Sequence, residues 1–332
     1  MAIGSSEGPA DAAIRAAYVT LLVDRETARL TSELKSSGVD PVLLKGPSLA
    51  RWLYSDGESR RYGDIDLLVR PAEVGAAVTR LRELGYEDLV RSEVERAATP
   101  HARTLVRAGT QRLPSGTAAR MPVDLHTSFH GVEADPATLW DALEPELETL
   151  KLGDVDVSIP GPRARTLFVA LHAAAAGTAV EKPLRDLHRA LERLSDDEWR
   201  IAFELAGVLR AESWFLAGLA LAREGRALID RCGFRARGRT RAELHAAGAP
   251  RVAVGLERLI ATRGWRRRAR LLARKLVPTA DLLWMTSPLA RRGRFGLALA
   301  YAVRPGWLAV RLPRAVVTLA AARRAARRRG DP

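Results

Sequence analysis

The sequence predicts an α+β protein, in which an N-terminal α/β domain with a mixed sheet precedes a mostly helical domain and a basic helical tail. The first half opens with a β-α-β pattern followed by more strands. After about residue 136, Ala, Leu and Arg dominate and helical patterns prevail. The basic charge is concentrated at the end, because residues 264–332 contain 16 Arg and one Lys against two Asp. We therefore divide the chain into an N-terminal helix (1–37), an α/β domain (38–135), a helical domain with a small hairpin (136–263) and an Arg-rich helical tail (264–332).

Each element of the first half has its own signal. Apolar residues recur at a helical period in the first segment, which Gly38 ends. Pro71 opens and Gly85 ends a later helix, and short runs rich in branched residues predict the strands. The predicted elements are a helix over 11–36, a strand over 42–45, a helix over 47–54, a strand over 65–69, a helix over 71–84, and strands over 86–90, 103–108 and 122–129, the last two separated by a loop at 108–121.

The second half begins with a predicted hairpin over 147–161, with its turn near Gly153-Asp154. Long helical patterns follow it, without a clear internal repeat. The predicted helices lie near 162–177, 183–194, 196–210, 212–230 and 250–262.

Composition excludes several classes of protein. The single cysteine, Cys232, rules out an internal disulfide framework and a cysteine-based zinc site, and it fits a reducing compartment. No basic stretch followed by an apolar run opens the chain, and no segment reaches the roughly 20 apolar residues of a membrane-spanning helix. We therefore predict a cytoplasmic location and no transmembrane segment. Neither a Gly-rich phosphate loop ending in Gly-Lys-Ser/Thr nor a serine-hydrolase motif is present.

The stretch RRYGDIDLLVR, residues 60–70, places two carboxylates in an otherwise apolar strand. Asp64 and Asp66 project to one face, because residues two apart share a face, while Ile65 and Leu67 face the core. Such carboxylates repel each other unless a cation lies between them, and hard oxygen ligands suit Mg²⁺ or Mn²⁺. The alternative is a solvated strand end paired with neighbouring arginines.

The segment VDLH repeats this arrangement, with Asp124 and His126 on one face and Val123 and Leu125 on the other. If this strand neighbours the first, Asp124 completes a cluster of three carboxylates that can hold divalent ions. His126 is open to three interpretations: a metal ligand, a partner that orients Asp124, or a core residue.

The motifs LLKGPSLARWLYSDGESRRYGDIDLLV, VDLH, LFVALHAAAAG and PLRDLHRAL together resemble the uncharacterised nucleotidyltransferase family of the polymerase-β-type superfamily. The resemblance implies transfer of a nucleotidyl group from a nucleoside triphosphate to a hydroxyl-type acceptor, with Mg²⁺ or Mn²⁺ as cofactor. The acceptor, whether a small molecule, a peptide or RNA, stays open. One alternative is a nucleotide-binding or regulatory module without turnover, and another is an RNA-binding protein led by its tail.

The resemblance also assigns residues. Asp64, Asp66 and Asp124 match the catalytic metal ligands, and Arg60 matches an arginine before the acid pair, suited to clamp phosphate. The residues matching the turn that meets the triphosphate are Lys45, Gly46 and Ser48. Lys-Gly-Pro-Ser replaces the more usual Gly-Ser there, and the loop before Asp64 is long. The residues that match the family but fit helix packing equally well are His172, Asp186 and His188.

The tail, residues 264–332, alternates arginine clusters with apolar runs that contain Trp284, Tyr301 and Trp307. Basic helices with aromatic residues bind anionic membrane surfaces or polyanions such as nucleic acid. Helices packed on the second domain, with their arginines in solvent, are the alternative. Composition does not separate these interpretations.

Overall fold

The computed structural model describes residues 9–54, 58, 60–89, 102–107, 121–280, 283–284 and 287–328. The chain forms two compact units. The first contains the described parts of 1–91 and 100–129 together with 134–165, and the second contains 130–133 and the described parts of 166–332. The predicted loop at 108–121 lies outside the described residues except for Met121.

The first unit is a mixed sheet with helices. Its helices are α1 (Pro9–Ser36), α2 (Pro47–Leu53), α3 (Val74–Glu83) and α4 (Pro136–Leu143), with short 3₁₀ turns at Pro71–Glu73 and Glu144–Glu146. Its strands are β1 (Val42–Leu43), β2 (Ile65–Leu68), β3 (Tyr86–Asp88), β4 (Ala102–Arg107), β5 (Pro122–His126), β6 (Glu148–Leu152) and β7 (Val155–Ile159). Helix α4 was not predicted; the other elements follow the predicted order, and the predicted α+β class with a mixed sheet is confirmed.

The seven described strands form one sheet in the order β3-β4-β5-β2-β1-β7-β6. Strand β2 runs parallel to β5 and antiparallel to β1, while β1 pairs in parallel with β7. The hairpin of β6 and β7 was expected in the helical domain, but it belongs to the first unit, where β7 pairs with β1. The apolar face of the hairpin, which includes Leu152, Val157 and Ile159, belongs to the core of the sheet, so the hairpin adds two strands to the sheet.

The core of the first unit fixes which face of the sheet carries polar groups. Ile65 and Leu67 of β2 and Val123 and Leu125 of β5 pack in one buried cluster with residues of α1 and α3. Because side chains alternate along a strand, the even-numbered residues of β2 and β5 project from the opposite face. That face carries the carboxylates.

The second unit is helical. Its elements are α5 (Pro162–Ala176, beginning in the first unit), α6 (Glu181–Arg193), α7 (Asp196–Val208), α8 (Glu212–Leu219), α9 (Arg223–Cys232), α10 (Thr240–Ala246), α11 (Arg251–Ala261), α12 (Trp265–Leu276) and α13 (Gly293–Arg328), with 3₁₀ turns at Gly177–Ala179 and Ala290–Arg292. None of the described helices is both long and apolar enough to cross a membrane.

The helices of the second unit differ from the prediction in one boundary and in one additional helix. The single helix expected over 212–230 is broken between α8 and α9, where a Cβ on Gly225 would lie 2.1 Å from the carbonyl oxygen of Leu219. Glycine permits this close turn. Helix α10 was not predicted, because its seven residues are too few to show a clear period.

Candidate functional site

Two carboxylates lie side by side on parallel strands at the centre of the sheet. In the register of β2 and β5, Asp66 is the direct partner of Asp124, so the predicted adjacency of these strands is confirmed. One ligand atom each from Asp66, Asp124 and His126 lies within 4.8 Å of the other two. Asp66 is 3% exposed. A buried carboxylate with a second carboxylate at this spacing requires a positive charge beside it.

Lys45 supplies a positive charge. It follows β1, and its Nζ atom donates a hydrogen bond of 2.8 Å to Oδ1 of Asp66. Burial by itself raises the pKa of Asp66, but the attraction of the Lys45 ammonium and the hydrogen bond to His126 outweigh it and hold this pKa well below the usual range. Sequence reasoning assigned Lys45 to the triphosphate turn and missed this ion pair. The expected repulsion at Asp66 is therefore relieved by the protein itself.

His126 is placed to orient Asp66. Its Nε2 atom lies 2.9 Å from Oδ1 of Asp66, and Nε2 is the donor because an ionised carboxylate only accepts hydrogen bonds. The Nδ1 atom is buried and has no hydrogen-bond partner among the described residues. The ring stacks on Phe129 with centroids 6.2 Å apart. The carboxylate that His126 contacts is thus Asp66, whereas the sequence suggested Asp124.

Asp124 has a partner that the sequence analysis missed. The hydroxyl of Thr104 donates a hydrogen bond of 2.5 Å to Oδ1 of Asp124. Thr104 lies on β4, directly opposite Asp124 in the antiparallel register. A polar residue inside the predicted strand 103–108 was the available signal, but its significance depends on knowing which strand β4 pairs with.

Asp64 lies immediately before β2 and is partly exposed. It does not belong to the group formed by Asp66, Asp124 and His126, the group of potential metal ligands found among the described residues. The strand begins at Ile65, so Asp64 lies outside the paired ladder that fixes the other two carboxylates. Its role as a metal ligand stays a prediction.

The Lys-Gly-Pro-Ser turn joins β1 to α2. Gly46 adopts φ = 65° and ψ = −121°, a conformation that other residues rarely adopt. A Cβ at Gly46 would lie 3.5 Å from the ring of Tyr62. Ser48 is 1% exposed, and its hydroxyl has no hydrogen-bond partner among the described residues. The predicted contacts of Gly46 and Ser48 with a triphosphate stay predictions.

Arg60 is buried, with 4% of its surface exposed. Its charge acts on Tyr62, whose hydroxyl donates a hydrogen bond of 2.6 Å to Asp24 of α1. Burial raises the pKa of Tyr62 strongly, and the carboxylate of Asp24 raises it further. Tyr62 thus stays neutral and ties α1 to the turn. The predicted role of Arg60 as a phosphate clamp stays a prediction.

The three remaining family-matched residues lie in the second unit. Asp186 is buried on α6, and His188 on the same helix is half exposed, with its Nδ1 atom 3.8 Å from Glu224. Arg185 donates a hydrogen bond of 2.6 Å to Glu181, one turn earlier. His172 lies on α5 and is partly buried. The contact of Arg185 is an ordinary ion pair of a helix surface, and His188 lies near a carboxylate of helix α9.

A mixed sheet that holds two carboxylates side by side on parallel strands, with a glycine turn at a helix start, is the arrangement that the resemblance to nucleotidyltransferases predicted. The sequence profile of the uncharacterised nucleotidyltransferase family matches residues 10–225. The chain belongs to this family, as its motifs predicted.

Two solved structures are similar over part of the chain. One is an antigenic nucleotidyltransferase-like protein from Paracoccidioides brasiliensis, with 13% identity, a TM-score of 0.37 and coverage of 57% of this chain and 92% of the other. The second is the antibiotic-resistance factor ANT(2'')-Ia, with 12% identity, a TM-score of 0.36 and coverage of 57% and 92%. The sequence matches none of the curated proteins.

Proposed function

We propose that the protein transfers a nucleotidyl group from a nucleoside triphosphate to a hydroxyl-type acceptor, using a divalent cation held at Asp66 and Asp124. The supporting observation is the pairing of these two carboxylates on neighbouring parallel strands, where an oxygen atom of one lies within 4.8 Å of an oxygen atom of the other. Family membership supports the reaction class. The cytoplasmic location and the identity of the acceptor remain predictions.

The donor set fits the proposed cation. Two carboxylates offer the hard oxygen ligands that Mg²⁺ and Mn²⁺ prefer, and the ligand atoms are close enough to share one ion. Asp64, next to β2, is proposed as a further ligand. A divalent cation held by these carboxylates would neutralise a phosphate chain and activate an attacking oxygen.

The residues around the carboxylates have separate proposed tasks. Lys45 neutralises Asp66 before the cation binds and becomes available to a phosphate oxygen afterwards. His126 holds Asp66, and Thr104 holds Asp124, in fixed orientations. The Gly46 turn brings backbone close to the triphosphate, where Ser48 and Arg60 add polar contacts.

Melting temperature tests the proposal without knowledge of the acceptor. Wild type is measured with each of the four nucleoside triphosphates, with and without Mg²⁺ and Mn²⁺. Ligand at a hundred times its Kd stabilises the folded state by about 2.7 kcal/mol, so a metal-dependent rise is expected for at least one triphosphate.

Asp124→Asn keeps the size of the side chain but removes a ligand charge, and it should abolish this rise. The matched control is Asp154→Asn, at the exposed turn of the hairpin, which should respond as wild type does. Absence of any metal-dependent rise in wild type contradicts the proposal. A full rise in Asp124→Asn places the nucleotide elsewhere.

A further inference from the structure

The helix α12 exposes an apolar stripe between arginines. Trp265, Leu272 and Leu276 are all exposed, Trp265 to 75%. At 3.6 residues per turn, spacings of seven and eleven residues return to the same side of the helix. The arginines exposed along the rest of this helix include Arg266, Arg267, Arg268 and Arg270. The helix is therefore amphipathic, with its apolar side in solvent.

The long helix α13 carries a second exposed stripe. Phe295, Leu299, Val303 and Trp307 follow one another at intervals of four residues, and Phe295 is 93% exposed. Side chains at this interval lie on one face. The same face continues through Val310 and Val317, which are also exposed.

The opposite face of α13 is already covered. Ala300, Ala315 and Leu319 are buried, and the helix packs against α11. The Nε atom of Arg323 donates a hydrogen bond of 2.8 Å to Glu257 of α11. The exposed stripe is thus a second apolar face, separate from the one that attaches α13 to the second unit.

Positive charge surrounds both stripes. Residues 264–332 contain 17 basic residues and two acidic ones. Arginines also lie over the exposed indoles, with the Arg311 guanidinium 4.1 Å from the Trp307 ring centroid and that of Arg266 5.5 Å from the Trp265 ring centroid. Long arginine side chains can keep their charge in water while their stems lie along apolar surface.

We propose that helices α12 and α13 bind the surface of an anionic lipid bilayer, with their apolar stripes inserted among the acyl chains and their arginines at the headgroups. This combination of apolar face, aromatic residues and arginine is the pattern of helices that lie in a membrane interface. The inference concerns a region outside the proposed nucleotidyl-transfer site and does not depend on that reaction.

The aliphatic residues favour lipid over nucleic acid. Phosphate contacts account for the arginines in either case, and bases can stack on Trp265 or Trp307. Leu272, Val310 and Val317 offer nothing to a phosphate and no ring for a base. The free energy of these side chains falls when they leave water for an apolar environment, and the acyl chains of a bilayer provide that environment.

Co-sedimentation of the full chain with vesicles tests the proposal. We expect binding to phosphatidylcholine vesicles that contain phosphatidylglycerol, weak or no binding to pure phosphatidylcholine, and loss of binding at high salt, since salt screens headgroup charge. Lipids brominated on the acyl chains should quench tryptophan fluorescence, which shows insertion rather than adsorption.

A charge-conserving variant separates insertion from electrostatic attraction. Phe295→Ser with Val310→Ser keeps every arginine and changes only exposed positions, and it should weaken vesicle partitioning about tenfold or more. The matched control is Ile201→Ser on α7, which is also exposed and should bind as wild type does. Circular dichroism checks that all variants are folded.

Three results overturn the proposal. The first is failure of wild type to sediment with anionic vesicles. The second is unchanged partitioning of the double serine variant without quenching by brominated lipids, which indicates a surface polyanion site. The third is a wild-type dimer in solution that does not bind vesicles and that the double variant does not form. The stripe would then be the contact surface for a second copy of this chain.

Discussion

Replacing Lys45 with methionine removes the ammonium from the candidate site at nearly constant side-chain length. The Nζ atom lies 2.8 Å from Asp66, whose side chain is 3% exposed, while that of Lys45 is 15% exposed. Loss of one partner of a buried ion pair costs about 3–5 kcal/mol. The partial exposure of Lys45 places the expected loss near the lower figure. At 2–4 °C per kcal/mol for a unit of this size, the melting temperature should fall by about 6–12 °C.

The sign of the pH dependence follows from the pKa of Asp66. In wild type this pKa is lowered, so the ion pair contributes its full stability above the ordinary carboxyl pKa and loses it as the pH falls further. The difference between wild type and Lys45→Met should therefore be largest at neutral pH and shrink below about pH 4.

Mn²⁺ should reverse most of the loss in Lys45→Met, because a divalent cation replaces the missing positive charge beside Asp66. The variant should also bind Mn²⁺ more tightly than wild type, since the lysine no longer competes. Both quantities come from thermal melts and from calorimetric titration of the metal alone. The control is Lys151→Met, whose Nζ atom also lies 2.8 Å from a carboxylate, that of Asp156, but in an exposed pair. Equal melting temperatures for the two variants at pH 7 would refute the reasoning.

Three further predictions concern other parts of the chain. Asp88→Asn should lower the stability at pH 7 but not at pH 2, because hydrogen bonding to Arg103 holds the pKa of Asp88 at about 2. The stability that this pair contributes is lost as the pH falls from about 4 to 2, and unfolding followed by circular dichroism over this pH range checks it. Gly46→Ala should destabilise the protein by about 1–3 kcal/mol in urea melts through backbone strain, while alanine at exposed Gly207, which has negative φ, should not. Gly218→Ala should cost about 1–3 kcal/mol, because its Cβ would lie 2.0 Å from the carbonyl oxygen of Ala170; a melt equal to wild type would show that α5 and α8 can separate freely.

The pairing of Asp66 with Asp124 was predictable because the sequence of each strand alone shows which side chains share a face. Alternation of carboxylates with apolar residues fixes the face of each strand, and only neighbouring strands bring the carboxylates of the two strands together. The predicted mixed sheet follows from the same segments.

The counter-charge at Asp66 was not predictable in the same way. Lys45 and Asp66 are 21 residues apart, and their contact depends on the antiparallel pairing of β1 with β2. A lysine before a glycine turn has the same sequence pattern whether it meets phosphate or a carboxylate. The placement of the hairpin was missed for a related reason, because its pattern shows that two strands pair with each other and not which third strand they join.

The position of β1 in the sheet has a consequence for folding during synthesis. This two-residue strand lies between β2, the next strand in the chain, and β7, which is separated from it by more than 100 residues. Strands so far apart in sequence pair late in folding, because ordering the long segment between them costs conformational entropy. A nascent chain that ends near residue 135 therefore carries β1 as an open edge, which invites pairing with other chains. The sheet is complete only when Val155–Ile159 has been added, well after the strands that carry Asp66 and Asp124.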